Sequence, residues 1–226
     1  MSVAVVVVAA GAGNRLGAGL PKALVTLRDR TILDWSLRAF VDHPDIDWLV
    51  VVAPAASTET IAATAHPSVL VVPGGASRQE SVRRGLAAVD SLAAEVEFVL
   101  VHDAARPLVP ATVISAVVAA LRDGADAVIP VLPVIDTIKR VDGAQRVTDA
   151  VDRSELRRVQ TPQGFRLAVL RQAHEAGERL GSAAITDDAG LIEALGHPVG
   201  TVAGDEAAFK ITTPYDLRLA ELLVAR

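Results

Sequence analysis

A chain of 226 residues that is 51% hydrophobic and 22% charged holds enough apolar material for one sizeable α/β core. A net charge of −5 and only 3% aromatic residues argue against a general nucleic-acid binder, which needs clustered positive charge and rings for stacking. Without cysteine there are no disulfides, no thiol catalysis and no thiolate metal sites, and the apolar runs are strand-sized, far short of a membrane span.

The N-terminus carries no basic run before its first apolar stretch, so no signal peptide is expected, and the expected location is cytoplasmic, with no membrane partner. Val3 to Val8 is a continuous β-branched run, suited to a strand buried on both faces. It ends in Ala9-Ala10-Gly11-Ala12-Gly13-Asn14-Arg15-Leu16-Gly17, closed by Pro21-Lys22. Small residues let backbone N–H groups converge into a concave anion site, and Arg15 and Lys22 lie close enough in sequence to serve the same anion. A dinucleotide fingerprint fits this loop poorly, because the glycines at 11, 13 and 17 have an arginine among them. A Walker loop does not fit, because Lys22 stands between Pro21 and Ala23. The remaining competitor is a plain glycine-rich turn that holds no ligand.

Thr31 precedes a helical pattern that ends before Pro44. Trp48 to Val52 reads as a strand, Thr58 to Ala65 as a short helix and Val69 to Val72 as a third strand ending in Pro73-Gly74-Gly75. Ser77 with Glu80 predicts a capping box, and Arg78, Ser81 and Arg84 follow at helical spacing beside the double glycine. Phe98 to Val101 is a fourth strand running into His102-Asp103-Ala104-Ala105-Arg106-Pro107, at the strand end where α/β sheets place ligands. Asp103 is the candidate carboxylate for a magnesium ion, with a turn residue as the alternative; His102 is read as structural, since magnesium favours oxygen.

A helix from Pro110 to Leu121 stops at Gly124, and Ala127 to Leu132 is a fifth strand. The pattern then changes: residues 134–159 alternate short β-like pieces with charge around Asp142-Gly143, which predicts a hairpin arm. Two strands alone are marginal in water, so the arm is expected to pack on a partner subunit. Thr161-Pro162-Gln163-Gly164-Phe165 is expected to lead into a helix reaching about Arg179, and Thr186-Asp187-Asp188 to cap another that stops at Gly196. Val199 to Val202 and Phe209 to Thr212 read as short strands, and Thr213-Pro214 with Asp216 opens the last helix. The class is therefore α/β, a Rossmann-like, mostly parallel sheet with helices on both faces and an inserted hairpin.

The first loop, A-A-G-x-G-x-R followed by P-K, resembles the signature of nucleotidyltransferases that activate sugars and sugar alcohols. Together AAGAGNR, LPKAL, PGGASRQESV, VHDAARP, DTIK, VDR, TPQGF, ITDDA and FKIT resemble, in order and spacing, the 2-C-methyl-D-erythritol 4-phosphate cytidylyltransferase family. The resemblance spans essentially the whole chain. It implies one nucleotidyltransferase domain over residues 1–226 with a dimerisation arm, transferring CMP from CTP to the alcohol phosphate. It implies CTP contacts at Ala9, Ala10, Gly11, Ala12, Gly13, Gly74, Gly75, Ser81 and Ala104, with Arg15 and Lys22 stabilising the transition state and Asp103 positioning magnesium. For the sugar-alcohol phosphate it implies Arg106, Thr137, Arg153, Thr161, Thr186 and Lys210, with Thr137 and Arg153 entering the partner's site in a homodimer. Ala23 departs from the pattern, since a polar residue often follows the lysine. A ribitol 5-phosphate cytidylyltransferase shares the design and is the alternative; a non-catalytic nucleotide-binding module is a third reading.

Overall fold

The computed structural model describes residues 1–11, 20–92, 95–180 and 185–225, with the side chains of 178–180 left aside. In chain order these form β1 (Ser2–Val8), β2 (Thr26–Leu27), β3 (Arg30–Thr31), α1 (Ile32–Val41), β4 (Trp48–Ala53), α2 (Thr58–Thr64), β5 (Val69–Pro73), α3 (Arg78–Asp90) and β6 (Val96–Asp103). They continue as α4 (Ala111–Arg122), β7 (Ala127–Pro133), β8 (Ile138–Val141), β9 (Val147–Val151), β10 (Arg157–Val159), β11 (Gln163–Arg166), α5 (Leu167–Leu180), α6 (Asp188–Ala194), β12 (Gly200–Ala203) and α7 (Pro214–Leu223).

The main sheet runs β7–β11–β6–β1–β4–β5, with β12 and β10 also paired to β7. β1 is parallel to β4 and β6, and β12 is parallel to β7, while β10 and β11 run antiparallel to their neighbours. This is the mostly parallel α/β sheet expected. Alternation sorts β1 between two cores. Val3, Val5 and Val7 pack with Leu33, Leu37 and Phe40 of α1 and with α4. Ala4 and Val6 face Val82 and Leu86 of α3 and Leu170 of α5. Helices on both faces explain why β1 lacks the polar alternation of a half-exposed strand. A smaller cluster joins Val25, Leu27 and Ile32 to Ile211 and Ala220 of α7.

Several local expectations change. Gln163–Arg166 does lead straight into α5, as expected, but is itself a strand between β6 and β7. Its Gln and Gly hide the strand pattern; Gly164 sits there because a Cβ would come within 2.4 Å of Val117 Cγ1 on α4. Residues 209–212 form no strand: Phe209 and Ile211 are apolar because they pack in the small cluster. The N-cap of α6 is Asp187, whose side chain accepts from Gly190 N–H, and not Thr186. Half of the α3 capping box forms: Ser77 accepts from Glu80 N–H, but the Glu80 carboxylate turns to Ala76 N–H and Arg84. In the hairpin the left-handed position falls on Gln145 (φ 61°), and not on Gly143, because Asp142 Oδ1 accepts from the N–H of both Ala144 and Arg146. Full capping boxes at Thr31/Asp34 and Thr213/Asp216 define the starts of α1 and α7.

Candidate active site

Three strand ends converge on one cavity. Val8 at the end of β1 lies beside Asp103 at the end of β6, and Ala104 N–H bonds back to Val8 O at 3.1 Å. Ala9 N–H reaches Val52 O at 2.8 Å, and Gly74 N–H reaches Ala53 O at 2.8 Å, which draws the β5–α3 turn alongside. Gly74 is required there, since a Cβ would lie 2.3 Å from that of Ala10. The cavity, about 540 Å³, sits outside the carboxyl ends of parallel strands, where this architecture leaves a crevice. Ala9, Ala10 and Gly11 form one wall, and Gly75, Ser77, Arg78 and Ser81 at the start of α3 another. Lys22, Asp103, Ala104 and Lys210 also line it, so that with Arg78 its described charged residues are three cations and one carboxylate.

Asp103 is the electrostatic centre. Its Oδ2 accepts from Lys210 Nζ at 2.6 Å, and its Oδ1 lies 3.4 Å from Arg78 Nε. Burial opposes its charge, but Arg78 and Lys210 outweigh burial and hold the carboxyl well below the usual carboxylate range. Behind it, burial lowers the His102 pKa to about 4, so the ring is neutral. His102 Nε2 lies 3.1 Å from Arg106 O, a carbonyl that only accepts, so the ring proton belongs on Nε2. Nδ1 then accepts from the Thr161 hydroxyl at 3.1 Å, and the same hydroxyl oxygen accepts Asp103 N–H at 3.1 Å. His102 thus has the structural role expected of it: with Thr161 it braces the backbone on which Asp103 stands.

Lys22 lies on a single 3-10 turn, Lys22–Leu24, after Pro21. Its Nζ donates to Ile211 O at 2.9 Å, while Ile211 N–H bonds Ala105 O at 2.8 Å. One residue therefore ties Lys22 to the loop after β6 and sets the adjacent Lys210 against Asp103. The carbonyl anchor fixes the direction of the Lys22 side chain.

The cavity unites Ala9, Ala10, Gly11, Lys22, Gly75, Ser81, Asp103, Ala104 and Lys210. Gly74 stands just behind. Ala12, Gly13 and Arg15 lie outside the described residues. The remaining candidates are not part of that lining. Thr161 is buried behind Asp103. Arg106 donates to Ala208 O at 2.7 Å and Val159 O at 3.2 Å, clamping the base of the arm. Thr186 is exposed just before α6. Thr137 and Arg153 belong to the arm, where Arg153 donates to Ile135 O beside a separate shallow cleft.

From the residues alone Arg78 stood only at a helix start beside the double glycine, Asp188 only in a helix cap, and His174 had no reading. Arg78 Nη1 donates to Asp188 Oδ2 at 2.7 Å, and His174 Nε2 lies 2.9 Å from Asp188 Oδ1. The available signal was Arg78 at the first position of a helix that follows two glycines. His174 gave none, because it meets Asp188 only through the packing of α5 on α6.

With three cations against one carboxylate, and N–H donors at the strand ends and a helix start, the described lining suits a polyanion. The sequence profile of the 2-C-methyl-D-erythritol 4-phosphate cytidylyltransferase family matches residues 3–226. A protein of that name from Saccharopolyspora erythraea is 50% identical, with 100% of both chains covered. One from Nocardia farcinica is 49% identical, covering 100% of this chain and 95% of that one. The crystal structure of 2-C-methyl-D-erythritol 4-phosphate cytidylyltransferase from Thermus thermophilus superposes with a TM-score of 0.80 at 40% identity, covering 100% of both chains. That of Francisella tularensis superposes at 0.84 with 29% identity, covering 98% of this chain and 99% of that one. The converging strand ends, the cation-rich cavity and full-length similarity agree: the chain belongs to the 2-C-methyl-D-erythritol 4-phosphate cytidylyltransferase family.

Proposed function

We propose that the cavity transfers CMP from CTP to 2-C-methyl-D-erythritol 4-phosphate, giving 4-diphosphocytidyl-2-C-methyl-D-erythritol and pyrophosphate. The observation that carries this reading is Asp103 held between Arg78 and Lys210 in a cavity that also contains Lys22, in a chain with full-length similarity to cytidylyltransferases. An oxygen of the acceptor phosphate attacks the α-phosphorus of CTP as the bond to the bridging oxygen breaks, and pyrophosphate leaves with that electron pair. The attacking phosphate is already ionised at neutral pH, so the protein need not supply a general base. Its task is to align two anions and to offset their charge, which Arg15 and Lys22 do from the nucleotide side. Ala9 to Gly13, Gly74, Gly75, Ser81 and Ala104 supply the nucleotide's contacts, and Arg106, Thr161, Thr186 and Lys210 serve the acceptor.

Asp103 is the residue that would hold magnesium. Two cations occupy it, yet a carboxylate offers about four lone-pair sites, and magnesium asks for one or two carboxylates with substrate phosphates and water. When bound, the ion would neutralise charge on the triphosphate.

The reading also takes residues 1–226 as one nucleotidyltransferase domain whose arm, at about 134–159, makes a homodimer and carries Thr137 and Arg153 to the partner's site. It is supported by β8 and β9, which among the described residues pair only with each other, and by the exposure of Ile135, Val141 and Val147. A cytoplasmic location follows from the substrates, both impermeant anions; neither nucleic acid nor membrane is a partner. The relatives' names favour methylerythritol phosphate over ribitol 5-phosphate as acceptor.

The test is pyrophosphate release with each alcohol phosphate and all four nucleoside triphosphates, with and without magnesium. Release confined to CTP with methylerythritol phosphate and magnesium is expected. Faster turnover with ribitol 5-phosphate, or none with any pair, would overturn the assignment.

A further inference from the structure

Asp188 lies outside the cavity lining and is 0% exposed, yet it is ionised: burial opposes the charge, and Arg78 and His174 outweigh it to lower the pKa. Each of its oxygens has its own partner, Arg78 Nη1 at 2.7 Å on Oδ2 and His174 Nε2 at 2.9 Å on Oδ1. His174 is itself 3% exposed. The chain His174–Asp188–Arg78 therefore crosses from α5 through α6 to the first residue of α3 and ends in the cavity wall. A buried ion pair is a poor source of stability compared with apolar packing of the same volume, so its retention calls for another reason.

The two bonds of Arg78 supply one. The guanidinium is 2.7 Å from Asp188 but 3.4 Å from Asp103, so Asp188 is the carboxylate that holds it. Without that hold, Arg78 would close on Asp103 and compete with Lys210, whose own contact there is 2.6 Å. A guanidinium has five N–H donors; the two carboxylates engage Nε and Nη1, and the others remain on a side chain that is 27% exposed and lines the cavity. Fixing such a long side chain before the ligand arrives removes an ordering cost from binding.

We propose that Arg78 is a nucleotide-contacting residue of the cavity and that Asp188 and His174 are positioning residues that hold its guanidinium in place for CTP. The inference rests on the reading of the cavity as a CTP site. Asp188→Asn keeps the shape and removes the charge, His174→Gln keeps a donor on a neutral side chain, and Arg78→Met removes the guanidinium. CTP affinity of each variant is measured by calorimetry, and kcat and KM for both substrates by pyrophosphate release.

Asp188→Asn is expected to weaken CTP about tenfold and His174→Gln about threefold, with the KM for the alcohol phosphate within about twofold of wild type. In the Arg78→Met background neither substitution has a further effect on CTP. A lowered Tm with unchanged CTP affinity in Asp188→Asn, or losses that multiply in the Arg78→Met background, would overturn the proposal. If Asp188→Asn does not fold, His174→Gln alone and combined with Arg78→Met completes the same cycle. A wild type that binds no CTP refutes the function itself, whereas a CTP-binding wild type with indifferent variants refutes only the positioning.

Discussion

Arg78 and Arg153 show how differently one chain treats two arginines. Arg78 is half-buried between two carboxylates contributed by β6 and α6, and the same sheet that forms the core places all three. Arg153 is exposed on an arm whose two strands, among the described residues, pair only with each other. The cavity is organised by its own subunit; the arm has no such frame. A residue of the first kind is pre-aimed, and its loss should cost chemistry or stability at once. A residue of the second kind gains its geometry from whatever the arm meets, so its loss should register in assembly or in one substrate's KM.

Lys22 gives the largest expected effect on the cavity side. Lys22→Ala should lower kcat by on the order of 10³, as loss of a cation facing a transferring phosphoryl group does elsewhere. Single-turnover assays with saturating CTP would check it, and unchanged turnover would remove Lys22 from the transition state.

The bracing behind Asp103 is tested by pH. The folded pKa of His102 is lowered to about 4 from an ordinary value of 6.5, so between these values the unfolded chain binds more protons. Its contribution is whole above about pH 6.5 and is lost as pH falls towards 4, by on the order of 3 kcal/mol. Urea midpoints of nucleotide-free, metal-free protein across that window should fall in step, and His102→Asn should flatten the slope.

Thr161→Val tests the same brace without a charge. It keeps the shape but leaves Asp103 N–H and His102 Nδ1 without their partner, at an expected cost of about 2 kcal/mol in stability, read as a lower urea midpoint at pH 7. An unchanged midpoint would mean that the loop after β6 stands without it. The smallest effect belongs to the arm. Arg153→Ala should raise the KM for the alcohol phosphate about tenfold while leaving Tm and CTP affinity alone, a cost of ~1.4 kcal/mol. Loss of stability in that variant would place Arg153 with Arg78 and erase the contrast.

Much of this was legible in the residues. Val3 to Val8 could only be a doubly buried strand, Thr213-Pro214 with Asp216 encodes its own helix start, and Gly124 and Gly196 take the left-handed φ expected at helix ends. Less visible was Gln163–Arg166, whose glycine and glutamine answer to neighbours on α4 and α6 and not to strand propensity. Residues 209–212 misled in the opposite sense, because apolar residues packed in a small side cluster look like a strand.

Taken alone, the sequence determined what depends on near neighbours: the alternation of strands and helices, the caps, the small-residue turn and the candidate ions within each motif. Tertiary structure decided which of those ions meet. Asp103 faces Lys210 across 107 positions and Asp188 faces Arg78 across 110, distances at which no local pattern specifies a partner. Only the packing of helices on both faces of the sheet brings such charges within hydrogen-bond reach, and only burial there makes the pairing obligatory.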